Sequence, residues 1–152
     1  MRNLFFYFFL YVSFVSCHHE GYPSMVKYTY SEKKDVVDKE LLRVIKLNSD
    51  TIPIKWKQYY EKFDFTDDTY IYFKESPEEI IRLGFARYGD NWEKDNFSSL
   101  SVFMWFDGEG WKRNYEITDV ERKHIVKRVE DEILSKMKYK YESKDLRDSW
   151  WE

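Results

Sequence analysis

The chain is poor in the residues that most metal, redox and phosphate sites require. Its 152 residues include one cysteine, three histidines, five glycines and three prolines. A single cysteine excludes an intrachain disulfide, and the few glycines form neither a phosphate loop nor a dinucleotide fingerprint. A chain of this length still buries a sizeable core without a disulfide or a structural metal. We therefore expect one compact domain, with no cofactor.

The sequence also lacks an apolar run of the length that spans a membrane. Its longest run extends from Leu4 to Val15 and is interrupted by Ser13, which is short of the ~20 residues that a transmembrane helix needs. Arg2 precedes the run, and the small residue Ser16 follows it. A basic residue, an apolar segment and a small residue in this order are typical of an export signal.

The signal ends in Phe14-Val15-Ser16-Cys17, which resembles the lipobox of bacterial lipoproteins. The lipobox has an aliphatic residue, two small residues and the cysteine that becomes the lipid-bearing N-terminus. Phe14 stands where leucine is usual, and Val15 is larger than the common alanine or serine. The resemblance covers the signal alone. It implies that Cys17 carries diacylglycerol and an acylated amino group, which together anchor the protein lastingly to a membrane of the bacterial cell envelope.

Two other outcomes remain open for the signal. A conventional secretory signal would be cut near Ser16 and leave Cys17 as a free thiol, and an uncleaved signal would itself act as an anchor. Because a lone exposed thiol is a liability in an oxidising compartment, we favour acylation. The expected organisation is a signal peptide at 1–16, a lipidated tether at 17–30, a single domain at 31–140 and a C-terminal tail at 141–152.

Charge argues against two classes of partner. Arg2 is the one charged residue of the signal. Beyond the signal, 24 basic residues are interleaved with 28 acidic residues, which gives a formal charge of −4. A nucleic-acid-binding protein would show a clustered basic face, which this pattern lacks. The same pattern argues against electrostatic docking to anionic lipid headgroups. We expect no nucleic-acid partner.

The hydrophobic pattern predicts an α+β domain. An apolar stripe of Val37, Leu41 and Val44 favours a helix, and Thr118-Asp119-Val120-Glu121 has the form of a capping box. In chain order we predict a helix at 31–47 capped by Ser31, an edge strand at 52–59, a strand at 69–74, a helical turn at 77–80 leading into a strand at 81–88, a hairpin at 100–117 and a long helix from Thr118. The expected fold is an antiparallel β-meander of three to five strands packed against an N-terminal helix and a long C-terminal helix.

The sequence contains no recognisable set of catalytic residues. Outside the tether the only histidine is His124, which we interpret as a boundary residue of the long helix rather than a base. Adjacent carboxylates occur at 67–68, 78–79 and 130–132, where a loop, a helix cap and a solvated helix face explain them. We therefore expect a protein that is not an enzyme.

The candidate metal ligands are equally unsupported. His18 and His19 lie in the predicted tether, where two ligands without a third make a poor site. The segment 90–96 offers acidic and amide oxygens but lacks the Asp-x-Asp-x-Asp-Gly spacing of a calcium loop. We expect no metal site.

Aromatic residues are the abundant class, with 31 in the whole chain. Trp92 and Trp111 fall in or beside predicted loops and are our candidates for a binding surface, because large amphipathic rings are enriched at interfaces. Burial in the core is the competing explanation for each ring. The leading functional hypothesis is an anchored, non-catalytic domain that binds a protein, as an assembly subunit or an immunity-type factor. The alternative is an aromatic pocket that holds a glycan or an apolar ligand.

Overall fold

The computed structural model describes residues 24–49, 51–56, 68–75, 77–85 and 96–146. Within these ranges the fold is a mixed α+β domain, which confirms the predicted class. The elements are β1 (Val26–Tyr30), α1 (Lys34–Asn48), β2 (Asp68–Phe73), β3 (Glu79–Phe85), β4 (Ser98–Phe106), β5 (Trp111–Arg113), α2 (Asp119–Glu132) and β6 (Tyr141–Asp145).

The described strands form one six-stranded antiparallel sheet. Its order is β2-β3-β4-β1-β6, and β5 pairs with β4 beyond the end of β1. The run β2, β3, β4, β5 is the predicted meander, whereas β1 is inserted between β4 and β6. Val26 accordingly pairs with Val102 on one side and Asp145 on the other.

The first and last strands come from outside the expected domain limits. β1 lies within the range 17–30 that we assigned to the tether, and β6 lies within the tail at 141–152. The sheet therefore has one strand more than the predicted maximum of five. In β1, Val26, Tyr28 and Tyr30 are buried while the two residues between them are half-buried, as expected for a strand with one face on a core.

Both helices cover one face of the sheet and enclose the main core. Val37, Leu41 and Val44 of α1 are buried, as the predicted stripe requires. Ile125 and Val129 of α2 are also buried. The sheet contributes residues that alternate along its strands, among them Tyr28, Tyr30, Ile71, Phe73, Ile81, Leu83, Leu100, Val102 and Trp105.

Two segments have a secondary structure other than the one predicted. The edge strand at 52–59 is wrong for its described part, because residues 54–56 are helical; residues 57–59 lie outside the described ranges. The helical turn at 77–80 is also wrong, because β3 already begins at Glu79 and pairs with β2 and β4. Backbone hydrogen bonds to the neighbouring strands on both sides stabilise β3. They outweigh the local preference for a helix start at a single proline.

Three predicted boundaries also shift. Helix α1 begins at Lys34 after Lys33 and has no side-chain cap, so Ser31 does not cap it. The hairpin forms, but its second strand ends at Arg113 in a 3₁₀ turn. Helix α2 ends at Glu132 and is followed by a 3₁₀ turn at Leu134–Lys136.

Candidate functional site

The structure covers only part of the predicted site. Cys17 and Trp92 lie outside the described residues, as do His18, His19 and most of the segment 90–96. Trp111 lies in β5 and is half-buried. Its surroundings, on the sheet face opposite the helices, are the first candidate site.

Trp111 belongs to a cluster of rings that we call the aromatic surface, made by Trp56, Tyr70 and Trp111. The ring centroids of Trp111 and Phe106 are 5.6 Å apart, those of Trp56 and Phe106 are 4.9 Å apart, and those of Tyr70 and Trp111 are 6.0 Å apart. The rings rest on a small second core of Tyr72, Ile80 and Phe106, all buried. The three rings of the aromatic surface are themselves only partly buried, so each presents an edge or face to solvent.

Charged groups fix the position of Trp56. Its indole Nε1 donates to Glu78 Oε2 at 2.9 Å, and Lys55 Nζ lies 2.7 Å from the same oxygen. Lys55 Nζ also lies 4.6 Å from the centroid of the Trp56 ring, within the range of a cation–π contact. The hydrogen bond from Lys55, together with that from Trp56, holds the pKa of Glu78 below its usual value. The rim of the aromatic surface is therefore polar, with one cation and one anion.

The turn of the hairpin positions Trp111. Asp107 Oδ1 accepts hydrogen bonds from the backbone N–H groups of Glu109 and Gly110, and Gly108 takes a φ of 94° that favours glycine. Lys112 Nζ then bridges Asp107 and Glu121 at 2.7 and 2.9 Å. The hairpin is thereby fastened to the first turn of α2.

A buried ion pair extends the same sheet face beyond the aromatic surface. Arg82 Nε donates to Asp68 Oδ2 at 2.7 Å, and both side chains are largely buried. The Arg82 guanidinium lies 5.6 Å from the centroid of the Phe103 ring. Burial is the main cause that raises the pKa of the neighbouring Tyr70. This sheet face is therefore apolar at one end. At its other end the opposite charges of Arg82 and Asp68 neutralise each other.

A second candidate site surrounds Glu79, at the start of β3 beneath α2. The Glu79 side chain is 0% exposed. Its Oε2 accepts from Arg128 Nη1 at 2.7 Å, and its Oε1 lies 2.7 Å from His124 Nε2. The His124 side chain is 44% exposed, which confirms its predicted boundary position. The Glu78-Glu79 pair was expected to be a helix cap, and that interpretation is wrong for Glu79.

Arg128 is surrounded by carboxylates that accept its hydrogen bonds. Besides Glu79, its guanidinium is paired with Glu75 at 3.2 Å and with Glu132 at 3.0 Å. Its Cζ also lies 4.3 Å above the Phe73 ring. Each of its three nitrogens thus donates to a carboxylate of the protein, which suits a structural role better than the binding of an external anion.

A shallow depression of about 280 Å³ opens beside these charges, lined by Pro77, His124, Lys127, Arg128, Asp131 and Glu132. None of these lining residues is a serine, a threonine or a cysteine, so the depression offers no hydroxyl or thiol nucleophile from its described walls. Lys127 is paired with Asp131 and Arg128 with Glu132. The arrangement stabilises the contact between α2 and β3, and its described residues complete no catalytic triad.

Sequence reasoning did not find the Glu79 cluster. Glu79 and Arg128 are 49 residues apart, and neither has a local pattern that predicts burial. The aromatic surface was found in part, through Trp111, whereas Trp56 and Tyr70 were assigned to strands without a site. For Trp56 and Tyr70 the sequence offered only its high aromatic content as an indication of a site. Large rings are common throughout this chain, so that content singles out no position.

The described ranges contain neither a cluster of metal ligands nor a membrane-spanning helix. Within the described ranges, no three histidine, cysteine or carboxylate side chains come together in a way that would hold a metal ion. Among the helices in those ranges, none combines the length and the apolar content that a membrane crossing requires. The chain matches no protein-family model, no curated protein and no solved structure.

Proposed function

We propose that this protein is a lipid-anchored lipoprotein of the bacterial cell envelope whose domain binds another protein and catalyses no reaction. Acylation of Cys17 would hold the domain at a membrane, and the aromatic surface would receive the partner. The partner is a folded protein that presents an apolar patch with polar groups at its margin, because Lys55 and Glu78 border the aromatic surface. The partner would be a subunit of an envelope assembly or, if the protein is an immunity-type factor, the toxin that it neutralises.

The observation that supports protein binding is the partial exposure of Trp56, Tyr70 and Trp111 above a small buried core. Rings held at fixed angles by a small core lose little entropy when a partner covers them. Residues of this kind carry much of the binding free energy in protein interfaces, commonly 2 kcal/mol or more for a central tryptophan. Polar groups at the margin are also typical of such interfaces.

The alternative, a pocket that holds a glycan or an apolar ligand, has less support. Ligand pockets are concave and lined mainly by apolar and aromatic side chains. The depression beside Arg128 is instead lined by charged groups, and its described lining contains no phenylalanine, tyrosine or tryptophan. We favour a protein partner for the aromatic surface, because a charged pair at the margin of partly exposed rings is typical of protein interfaces.

The test is capture of the partner from the protein's own envelope. The lipidated protein, cross-linked in intact cells and purified, should retain one protein in a fixed ratio. The Trp111→Ala variant should reduce that yield at least tenfold, whereas Trp111→Phe should restore part of it because a ring remains. Thermal unfolding of each variant shows whether the domain has kept its fold.

Phe97→Ala is the matched control. Phe97 is 48% exposed and precedes the start of β4, whereas the aromatic surface lies where β4 ends. This variant should retain the partner at the yield of the unaltered protein. Equal loss with Phe97→Ala and Trp111→Ala would contradict a partner site at Trp111. Recovery of a glycan or lipid in place of a protein would overturn the proposal in favour of the pocket alternative.

A further inference from the structure

Strand β6, Tyr141–Asp145, forms one outer edge of the described sheet. It pairs with β1 on one side, and no described strand pairs with its other side. Four of its five residues, from Glu142 to Asp145, are exposed. An exposed edge strand presents backbone donors and acceptors to which another strand can add.

The backbone of Ser143 is directed away from β1. The Leu146 N–H donates to the Met25 carbonyl, immediately before β1, at 3.5 Å. In an antiparallel pair, alternate residues exchange hydrogen bonds with the partner strand, and the residues between them direct their N–H and C=O groups to the other side. Lys144 and Glu142 follow the same alternation as Leu146 and are directed at β1. The N–H and C=O groups of Ser143 therefore lie on the open side of β6.

The two neighbours of Ser143 carry opposite charges on one face of the sheet. Glu142 lies opposite Thr29, and Lys144 lies opposite Lys27. The buried residues of β1 alternate with Lys27 and Thr29, so Glu142 and Lys144 lie on the face away from the two helices. Neither of these side chains forms an ion pair within the described residues. Because Lys27 has the same charge as Lys144, β1 offers Lys144 no counter-charge at the position directly opposite.

The sequence of β6 is complementary to itself in an antiparallel pair. With Ser143 opposite Ser143 of a second copy, Glu142 of each copy lies opposite Lys144 of the other. The two serines would exchange backbone hydrogen bonds, and the charged residues would occupy the closer positions, with Cα atoms about 4.5 Å apart. Opposite charges directly across a sheet stabilise it, and like charges destabilise it. A shift of one copy by two residues would place Glu142 opposite Glu142, or Lys144 opposite Lys144.

We propose that β6 pairs with β6 of a second copy of this chain, which joins the two sheets into one about a twofold axis at Ser143. A strand of another sequence would meet the same exposed charges without the matching ones, and charged side chains on an edge commonly prevent such pairing. The charges of β6 therefore favour a second copy over an unrelated protein. The pairing uses the opposite edge of the sheet from β2, so it leaves the aromatic surface open to the partner proposed above.

Disulfide trapping tests the pairing. In the proposed dimer the Cα atoms of the two Ser143 residues would be about 5.5 Å apart, within the range that a disulfide bridges. The Ser143→Cys variant of the full-length protein, mildly oxidised, should therefore form a covalent dimer. Mass spectrometry of the linked peptides distinguishes a bond at position 143 from one through Cys17.

Leu47→Cys is the matched control. Leu47 is 70% exposed near the end of α1, and the nearby Ser49 donates to the Tyr72 carbonyl of β2, at the other edge of the sheet. We expect at least tenfold more linked dimer from Ser143→Cys than from Leu47→Cys. Equal yields from the two variants, or a link from position 143 to a different protein, would overturn the proposal.

Exchange of the two charges tests the register. Glu142→Lys, added to Ser143→Cys, would place two lysines opposite each other at both ends of the pair and should lower the yield of linked dimer at least fivefold. Further addition of Lys144→Glu recreates opposite charges and should restore the yield. All three positions are exposed, and thermal unfolding verifies that each variant remains folded. A yield that stays low in the variant with both charges exchanged would contradict the proposed pairing.

Discussion

Arg128 of α2 donates to Glu79 of β3 across 2.7 Å, and the carboxylate that receives this bond is fully buried. The pair connects the last turns of the C-terminal helix to the start of a central strand. Because His124 contacts the other carboxylate oxygen, Glu79 holds two side chains that approach from the same helix. Removal of the carboxylate would leave the Arg128 charge without its buried partner.

We therefore predict that Glu79→Gln destabilises the domain by about 3 kcal/mol, the usual cost of breaking a buried pair from one side. Urea-induced unfolding followed by tryptophan fluorescence measures the change. Glu75→Gln is the matched control, because Glu75 pairs with the same arginine but is 67% exposed. That variant should lose less than about 1 kcal/mol. Equal losses for the two variants would show that burial of the pair at Glu79 does not matter.

Replacement of Gly84 should also destabilise the domain. A Cβ atom at this position would lie 2.9 Å from the Phe103 ring and would also meet the Asp68 carboxylate. Since Asp68 is held in place by its ion pair with Arg82, it cannot move away from the added methyl group without weakening that pair. Gly84→Ala should therefore cost about 1–3 kcal/mol, the range for an overpacked site.

Gly110→Ala is the control for the change at Gly84. No atom lies within 4 Å of the position that its Cβ would take, so the free energy of unfolding should change by less than about 0.5 kcal/mol. Comparison of the two alanine variants by thermal unfolding separates crowding from the general effect of replacing glycine. A Gly84→Ala protein as stable as Gly110→Ala would contradict the close approach of Phe103.

Acid should destabilise the domain through two carboxylates with lowered pKa values. The hydrogen bond from Arg43 is the main cause that lowers the pKa of Glu40 to about 2, and the Thr118 backbone N–H, followed by Lys112, lowers that of Glu121 to about 2. The unfolded chain takes up these protons near pH 4.3. Below that pH the unfolded state binds more protons, so stability falls as the pH drops from about 4.5 to 2.

The Glu121→Gln variant tests this dependence. It removes one titrating group, so its stability should fall less steeply than that of the unaltered protein between pH 4.5 and pH 2, and it should be less stable at pH 7. Urea unfolding at several pH values gives both quantities. The same slope in the two proteins would mean that Glu121 is not stabilised by its hydrogen bonds.

Local sequence signals predicted the elements that form from neighbouring residues. The capping box at Thr118 is present as predicted, with Thr118 Oγ1 accepting from the Glu121 N–H at 3.3 Å and Glu121 accepting from the Thr118 N–H at 2.8 Å. The hairpin turn at 107–110 and the apolar stripe of α1 are also confirmed. In each case the interacting residues are at most four positions apart, or share one face of a single helix.

The remaining features depend on partners that are distant in sequence. Strand β6, Tyr141–Asp145, is mostly charged and exposed, so nothing in its own composition predicts a strand; it forms because the edge of β1 is available. β1 did carry a signal, the alternation of Val26, Tyr28 and Tyr30, which its position beside the signal peptide obscured. The burial of Glu79 likewise depends on Arg128, which no local pattern predicts.

The central claim is that Cys17 carries the lipid anchor, and the mass of one peptide tests it most directly. Trypsin should release the segment 17–27 from protein purified out of its own membrane. We predict that this peptide begins at Cys17 and carries a diacylglyceryl group on sulfur and an acyl group on nitrogen. A peptide with a free Cys17 thiol, or one that still contains Phe14 to Ser16, would contradict the account.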